Sequence, residues 1–467
     1  MSRRGWLPAL ALAAYGVLLA LTAPAWPDDW DGVGFVESVR DFDLSRFHPH
    51  PPGYPVYVAL LRIAADATRD PMRACIVVAV LSGVAAAAWT WSAVRAVAGE
   101  RAAWAGAVLV GVAPLAWRSC SGVGSEAPAL ACLAACAWGA AVRDRRSWGP
   151  VLALGIGAGL GMGVRLSWAP IFVAALFFAP RGARARTTGV AAASVAAWAI
   201  PLIAVVGPAR LVALSEAHFA GHAQRWGGTV VTDPGLVRVA WLARDVFVDG
   251  LGTGTDLLGL AVGAALAACA LVAGFAWARS GWRGWPALAA AVVPYGLWIG
   301  LGQNLRDQPR HALPLVVVLA VSLALPAARS RRALGAVAVL AVLLAARTAL
   351  DAHARRTIPP PGQQLVDLAR AQPSPDLLAV FGVSSVRFFE TTELATHAFA
   401  AGALGDVEVR LTRLDVLPSR VWITSEVQGR ASSPWPLEPV AHLCRPPRID
   451  RRAPCIDVFA WKLPYLH

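Results

Sequence analysis

Charge is scarce in this chain. Of its 467 residues only 15% are Asp, Glu, Lys or Arg, against about 25% in ordinary soluble domains. Hydrophobic residues make up 57% of the sequence, and mean hydropathy is +0.54. A soluble globule has no use for so much apolar surface, so the composition excludes that class and indicates a polytopic membrane protein. Lysine is nearly absent. Lys462 is the only one, and arginine carries the formal net charge of +13. These arginines stand in short clusters between apolar stretches, as membrane topology requires, which argues against nucleic acid as a partner.

Other absences narrow the reading further. The seven cysteines form no metal-binding pattern. Cys75, Cys120, Cys132, Cys136 and Cys269 lie in or beside apolar spans with no His or carboxylate next to them, which suits packing. Cys444 and Cys455 lie in the polar C-terminal part. They are expected to form a disulfide if that part faces an oxidising compartment, stabilising it by about 2–3 kcal/mol. No internal repeat is visible, which argues against an inverted-repeat transporter. Span centres carry almost no ionisable residues, which disfavours a substrate path through the midplane. A transporter or envelope-assembly scaffold for lipid or polysaccharide remains the alternative to an enzyme.

What is present is a series of apolar segments. A bilayer core needs about 20 apolar residues in a helix. Candidate spans lie roughly at 6–25, 73–94, 102–117, 123–141, 149–164, 168–180, 187–206, 254–278, 285–302, 311–327 and 333–349. The first is too long for a signal-peptide core and reads as an uncleaved span. Arginine clusters occupy alternate loops: Arg3/Arg4, Arg95/Arg101, Arg143/Arg145/Arg146, Arg181/Arg184/Arg186, Arg279/Arg283 and Arg329/Arg331/Arg332. By the positive-inside rule these loops and the N-terminus are cytoplasmic, and the C-terminus is extracytoplasmic. The long loops 26–71 and 207–253, the short loop 303–310 and the tail then share the outer side. Elaboration on one face suits a protein that works at that face.

The domain division expected is a membrane domain over 1–349 and an extracytoplasmic domain over 350–467. In the tail, "TIPPPGQQLVDLARAQ" reads as a Pro-led helix. "LLAVFG", "VEVRLTRL", "RVWITSEV" and "CIDVFAWKL" read as strands, and "SSVRFFETTELATHAFAAG" as helical, giving a small mixed α/β fold.

The first outer loop is unusual. "WDGVGFVESVRDFDLSRFHPHPPGYP" sets Asp31, Glu37, Asp41 and Asp43 ahead of Pro49, Pro51, Pro52 and Pro55. The prolines restrict their predecessors to extended backbone, and Gly53 permits a tight turn. "VYVALLRIAADA" then follows as an amphipathic helix too short to span. Composition alone reads the loop as a solvated acidic segment, with Asp28, Asp29, Asp41 and Asp43 in water.

Trp30-Asp31, Phe35 and His50-Pro51-Pro52-Gly53-Tyr54-Pro55 resemble the first-loop signature of bacterial membrane proteins similar to protein O-mannosyltransferases. These belong to the GT-C superfamily of polyprenyl-phosphate-sugar-dependent glycosyltransferases. "SGVGSEAPALACL" resembles that group's Glu-x-x-x-Leu start of a span and places Glu126 at the outer surface. "NLRDQPRHALPL" resembles its Pro-Arg-His/Tyr-x-x-Pro element. The sequence departs from the pattern at Gly34, where a Glu is usual, and leaves Glu37 or Asp29 to supply a second carboxylate.

The resemblance implies an all-α polytopic membrane fold of about eleven helices with a small C-terminal α/β domain, in a bacterial inner membrane. It implies transfer of a sugar such as mannose from a polyprenyl-phosphate carrier to a protein, lipid or glycan acceptor at the extracytoplasmic face. Lipid phosphate is already a good leaving group and needs cations, whereas the acceptor hydroxyl needs a base. A single displacement would invert the anomeric carbon.

Asp31 is the candidate base, with Glu126 as a second catalytic carboxylate. Arg165, Arg306, Arg310 and His311 are candidate phosphate contacts, and Glu37, His50 and Tyr54 line the first loop. Each arginine also suits simple snorkelling to the interface. In the second long loop, His218 and His222 are spaced to chelate a metal on a helix face but lack HExxH. A lid over the acceptor, using His222 and Trp226, is the preferred reading there. No cofactor is implied with certainty, and a divalent cation is left open because superfamily members differ on it.

Overall fold

The computed structural model describes residues 6–142, 147–225, 227–280, 285–371, 377–381, 383–390, 392–394, 398–401, 403, 406, 420–427, 436–451 and 454–461. The chain divides into two compact units, Met1–Ala23 with Ser38–His353, and Pro24–Glu37 with Ala354–His467.

The first unit is helical. Every apolar segment expected to span falls on a helix, but the helices differ in length. Among the described residues five helical stretches are long and apolar enough to cross a bilayer: Pro71–Ala98, Arg181–Val206, Leu257–Arg279, Pro309–Ala328 and Arg331–Arg370, the last interrupted before Pro361 and continuing into residues of the second unit. Glu100–Val112 and Pro114–Cys120 make a sixth if counted together, although they bend by 72°. Pro114 supplies the break, since it cannot continue the preceding ladder. Trp6–Leu21, Glu126–Ala141, Trp148–Val164, Leu166–Leu176 and Val292–Gly302 are shorter apolar helices. The structure is that of a multi-pass membrane protein, with five or six full-length spans where the sequence suggested eleven.

Glycine lets the helices Glu126–Ala141, Trp148–Val164 and Arg184–Val206 approach closely. A Cβ at Gly139 would lie 2.6 Å from the Pro150 carbonyl oxygen, and one at Gly159 would lie 2.6 Å from that of Ala191. Small residues at such crossings replace the hydrophobic drive that lipid does not provide.

The proline-rich loop forms the turn its sequence suggests. Gly53 N donates to the His50 carbonyl at 3.1 Å, with Gly53 at φ +107° and Tyr54 at φ 49°. Pro55 opens the helix Pro55–Thr68, where Tyr57, Val58 and Leu61 are buried. Asp70 then caps Pro71–Ala98 by accepting from Met72 N at 2.8 Å and Arg73 N at 3.1 Å.

The second unit contains a five-stranded sheet: β1 (Leu377–Phe381), β2 (Ala398–Ala400), β3 (Arg420–Thr424), β4 (Leu437–Cys444) and β5 (Cys455–Trp461), in the order β2-β1-β3-β5-β4. β1 pairs in parallel with β2 and β3, and β5 runs antiparallel to β3 and β4. The helix Pro361–Arg370 buries Leu365, Val366 and Ala369 with Phe388, Phe389, Trp422 and Val458. Val33, from the helix Trp30–Ser38, belongs to the same core.

Two expectations for the tail are corrected. Among the described residues, "SSVRFFETTELATHAFAAG" holds the end of a short helix, Val383–Val386, and then the strand β2. Its apolar residues serve a sheet edge, where strand pairing outweighs helix propensity. β4 was not expected, because Pro439 breaks its alternation and the strand shifts register between Pro439 and Ala441. "VEVRLTRL" lies outside the described residues.

A buried ionic group ties this unit together. Arg355 Nε donates to Asp28 Oδ2 at 2.7 Å. Arg445 Nη1 donates to Asp28 Oδ1 at 3.0 Å, and its Nη2 donates to the Arg355 carbonyl at 2.9 Å. Asp28 is therefore buried and doubly paired, not solvated, and the Arg445 side chain is 0% exposed. Proximity to Asp29 and Asp31 made Asp28 look like one of a solvated acidic run, whereas its partners stand hundreds of positions away. The predicted disulfide is present between Cys444 and Cys455, with Cα atoms 4.1 Å apart.

Candidate active site

Three of the candidate residues meet in the first unit. Glu126 opens the helix Glu126–Ala141, and its side chain is 7% exposed. Its Oε1 lies 2.8 Å from Arg165 Nη1 and 3.6 Å from Arg310 Nε. Arg165 follows the helix Trp148–Val164 in extended backbone, and its Nη1 also donates to Ser125 Oγ at 2.9 Å. Arg310 stands in the turn Pro309–Ala312 that leads into the helix Leu313–Ala324. One carboxylate thus faces two guanidiniums, with Glu126 and Arg165 buried and Arg310 half-buried. Buried charge of this kind is expensive and persists where it is paired or used.

Neighbouring residues fix the cluster. The Glu126 carboxylate folds back over Gly124, where a Cβ would lie 2.1 Å from Oε2, so a side chain at 124 would push that carboxylate aside. Gly124 N donates to the Tyr57 hydroxyl at 3.1 Å, which links the turn before Glu126 to the helix that follows the prolines. The Arg165 guanidinium lies 5.9 Å from the Trp168 ring centroid. Trp168 packs edge-on against Tyr295 at 6.5 Å, and the Tyr295 hydroxyl donates to the His311 carbonyl at 2.7 Å. His311 is buried next to Arg310 in the chain. Tyr57, Ser125, Trp168 and Tyr295 were not singled out in the sequence. Each looks like an ordinary span residue there, and only three-dimensional convergence gives it a part.

Arg306 stands apart from this group. It pairs with Asp307 at 3.1 Å and Asp233 at 3.6 Å, and its side chain is 44% exposed. Asp233 also accepts from Gly228 N at 2.5 Å, and that bond is the main reason its carboxyl is held below the ordinary value. The loop contact is therefore present above the ordinary carboxylate range and is lost as pH falls through the depressed value. Arg306 acts here as a loop fastener.

His50, Tyr54, His218 and His222 form a second group. Tyr54 Oη and His50 Nε2 are 2.7 Å apart. His50 stacks on His218 at 5.3 Å, and His218 meets His222 edge-on at 4.8 Å. The first-loop signature and the second long loop thus come together. Trp226 lies outside the described residues.

Asp31 and Glu37 lie on the helix Trp30–Ser38 of the second unit, and both are half-buried. Asp29 Oδ1 accepts from Gly32 N at 2.8 Å, so Asp29 serves as that helix's cap.

Residues 48–208 match the family model described as dolichyl-phosphate-mannose-protein mannosyltransferase. That stretch includes His50, Tyr54, Glu126 and Arg165 and ends before Arg310. No protein in the curated comparison matches the chain. Two crystal structures of ArnT from Cupriavidus metallidurans are similar to it over nearly its whole length. The apo form has a TM-score of 0.58 at 13% identity, covering 98% of each chain. The form bound to undecaprenyl phosphate has a TM-score of 0.59 at 12% identity, covering 100% of this chain and 99% of the other. At such identity the likeness is one of fold.

Proposed function

We propose that this chain is a membrane glycosyltransferase of GT-C type that transfers a sugar, mannose or a related hexose, from a polyprenyl-phosphate carrier to an acceptor at the extracytoplasmic face. The observation that carries the reading is the Glu126–Arg165–Arg310 group, in which two guanidiniums converge beside one buried carboxylate. A lipid phosphate is the anion such a group suits. Arginine offers parallel donors to phosphate oxygens, and a water-poor setting strengthens each contact.

In this mechanism Arg165 and Arg310 hold the carrier phosphate and stabilise the charge that grows on it as the glycosidic bond breaks. Glu126 sets the guanidiniums in place. Asp31 takes the proton of the acceptor hydroxyl as it attacks, and one displacement inverts the anomeric carbon. The aromatic and histidine group at His50, Tyr54, His218 and His222 offers flat faces and polar edges for a sugar or acceptor.

Transfer of radiolabel from defined polyprenyl-phosphate sugars, in membranes with and without this chain, tests the reading. Label should reach an acceptor only when the chain is present. Absence of transfer from every polyprenyl-phosphate sugar tried would reject it. Arg310→Lys tests the phosphate contact. It should lose most activity at limiting carrier, because lysine keeps the charge but not the paired donors. Full activity there would reduce Arg310 to a headgroup anchor. The proposed orientation places the C-terminus outside the cytoplasm. A reporter active only outside, fused after His467, should therefore be active, and a silent but expressed fusion would reverse the assignment.

A further inference from the structure

The β4–β5 pair carries a group of reactive side chains that sugar transfer does not use. Cys444 stands directly opposite Cys455, and His442 directly opposite Asp457. Residues two apart on a strand point to the same face, and so do directly opposed pairs, so these four side chains gather on one face. Ile456 and Val458 alternate with them and are buried, so the group faces away from the core. His442 Nδ1 lies 2.5 Å from Asp457 Oδ1, and His442 Nε2 lies 2.9 Å from Cys444 Sγ. His442 and Cys455 are exposed, whereas Cys444 is half-buried. A structural cross-strand disulfide needs neither an imidazole against one sulfur nor a carboxylate behind it.

We propose that Cys444–Cys455 is a thiol-exchange centre in which His442, oriented by Asp457, activates Cys444 as the leaving sulfur towards an incoming thiol reductant. The Asp457 carboxylate holds the Nδ1–H, which aims Nε2 at Cys444. A reductant thiolate attacks the exposed Cys455 Sγ and forms a new S–S bond to it. The Cys444–Cys455 bond breaks, its electron pair goes to Cys444 Sγ, and that sulfur takes the proton from His442 Nε2. Cys455 is left in a mixed disulfide. A second reductant thiolate attacks the reductant's own sulfur in that mixed disulfide. This releases the oxidised reductant as a disulfide and Cys455 as a thiolate, which water protonates. Two electrons pass from two thiols to the cystine, which becomes two thiols. Exchange is faster when the leaving sulfur is stabilised as a thiolate, and a proton donor at Nε2, 2.9 Å away, supplies that.

The centre is independent of the sugar-transfer reading and is tested without it. The full chain in detergent is treated with reduced glutathione and quenched with an alkylating agent. Peptide masses then report Cys444 and Cys455 separately from the other cysteines. His442→Gln should slow loss of the disulfide by about tenfold or more, the lower part of the range for proton-transfer catalysis. Asp457→Asn should slow it less, and the first glutathione adduct should appear on Cys455. His442 is exposed, so the thermal midpoint should not change. Wild-type rates in both variants, or a first adduct on Cys444, would overturn the proposal.

Discussion

Asp31→Asn is expected to lower sugar transfer by about 10²-fold or more, because it keeps the shape of the side chain and removes its basicity. Asp31 stands in the first turn of the helix Trp30–Ser38, where a carboxylate is favoured by the helix dipole. The cap of that helix is Asp29, so the exchange leaves that bond in place. Carrier affinity should be nearly unchanged, since the loss falls on the proton transfer and not on phosphate binding. Initial rates over a range of labelled carrier separate the two effects. A variant with wild-type turnover would remove Asp31 from the base role and leave Glu37, on the same helix, as the next carboxylate to change.

Glu126→Gln is expected to be nearly as damaging, by another route. It leaves the buried Arg165 and the half-buried Arg310 without the Glu126 carboxylate, and breaking a buried pair such as Glu126–Arg165 from one side costs about 3–5 kcal/mol. Arg165→Gln should cost a similar amount. The two losses should not add, because the double variant no longer strands a charge at that contact. Thermal unfolding of the four proteins in detergent closes the cycle. Strict additivity would mean that the 2.8 Å contact carries no coupling, and that the arginine is held by Ser125 and Trp168 alone.

The membrane class, the positions of the apolar helices and the turn at Gly53 could be read from the sequence because they depend on local composition and backbone sterics. The Cys444–Cys455 pairing was legible for a similar reason, as two cysteines close in a polar segment have few alternatives. Span length was not legible. A break at Pro114, and helices as short as Trp148–Val164, depend on how neighbours pack. The site was legible in part. Glu126, Arg165 and Arg310 stood out as charges beside apolar runs, but their convergence did not. Arg306 resembled them in sequence, and its commitment to Asp233 and Asp307 is a tertiary fact. Asp28 was misjudged because the residues that bury it are Arg355 and Arg445.

That last group constrains the order in which the protein can mature. Asp28 leaves the ribosome early, whereas Arg445 follows 417 residues later. Until then the Asp28 carboxylate lacks one of its two guanidiniums, and Val33 lacks the sheet residues Trp422 and Val458 that complete its core. The helix carrying Asp31 therefore acquires its native surroundings only once Arg445 and the strand Cys455–Trp461 have been made. A nascent or prematurely terminated chain holds its apolar helices but not a completed first loop. The helix Trp30–Ser38 is thus held in place only after the sheet has folded around a segment made some four hundred residues earlier.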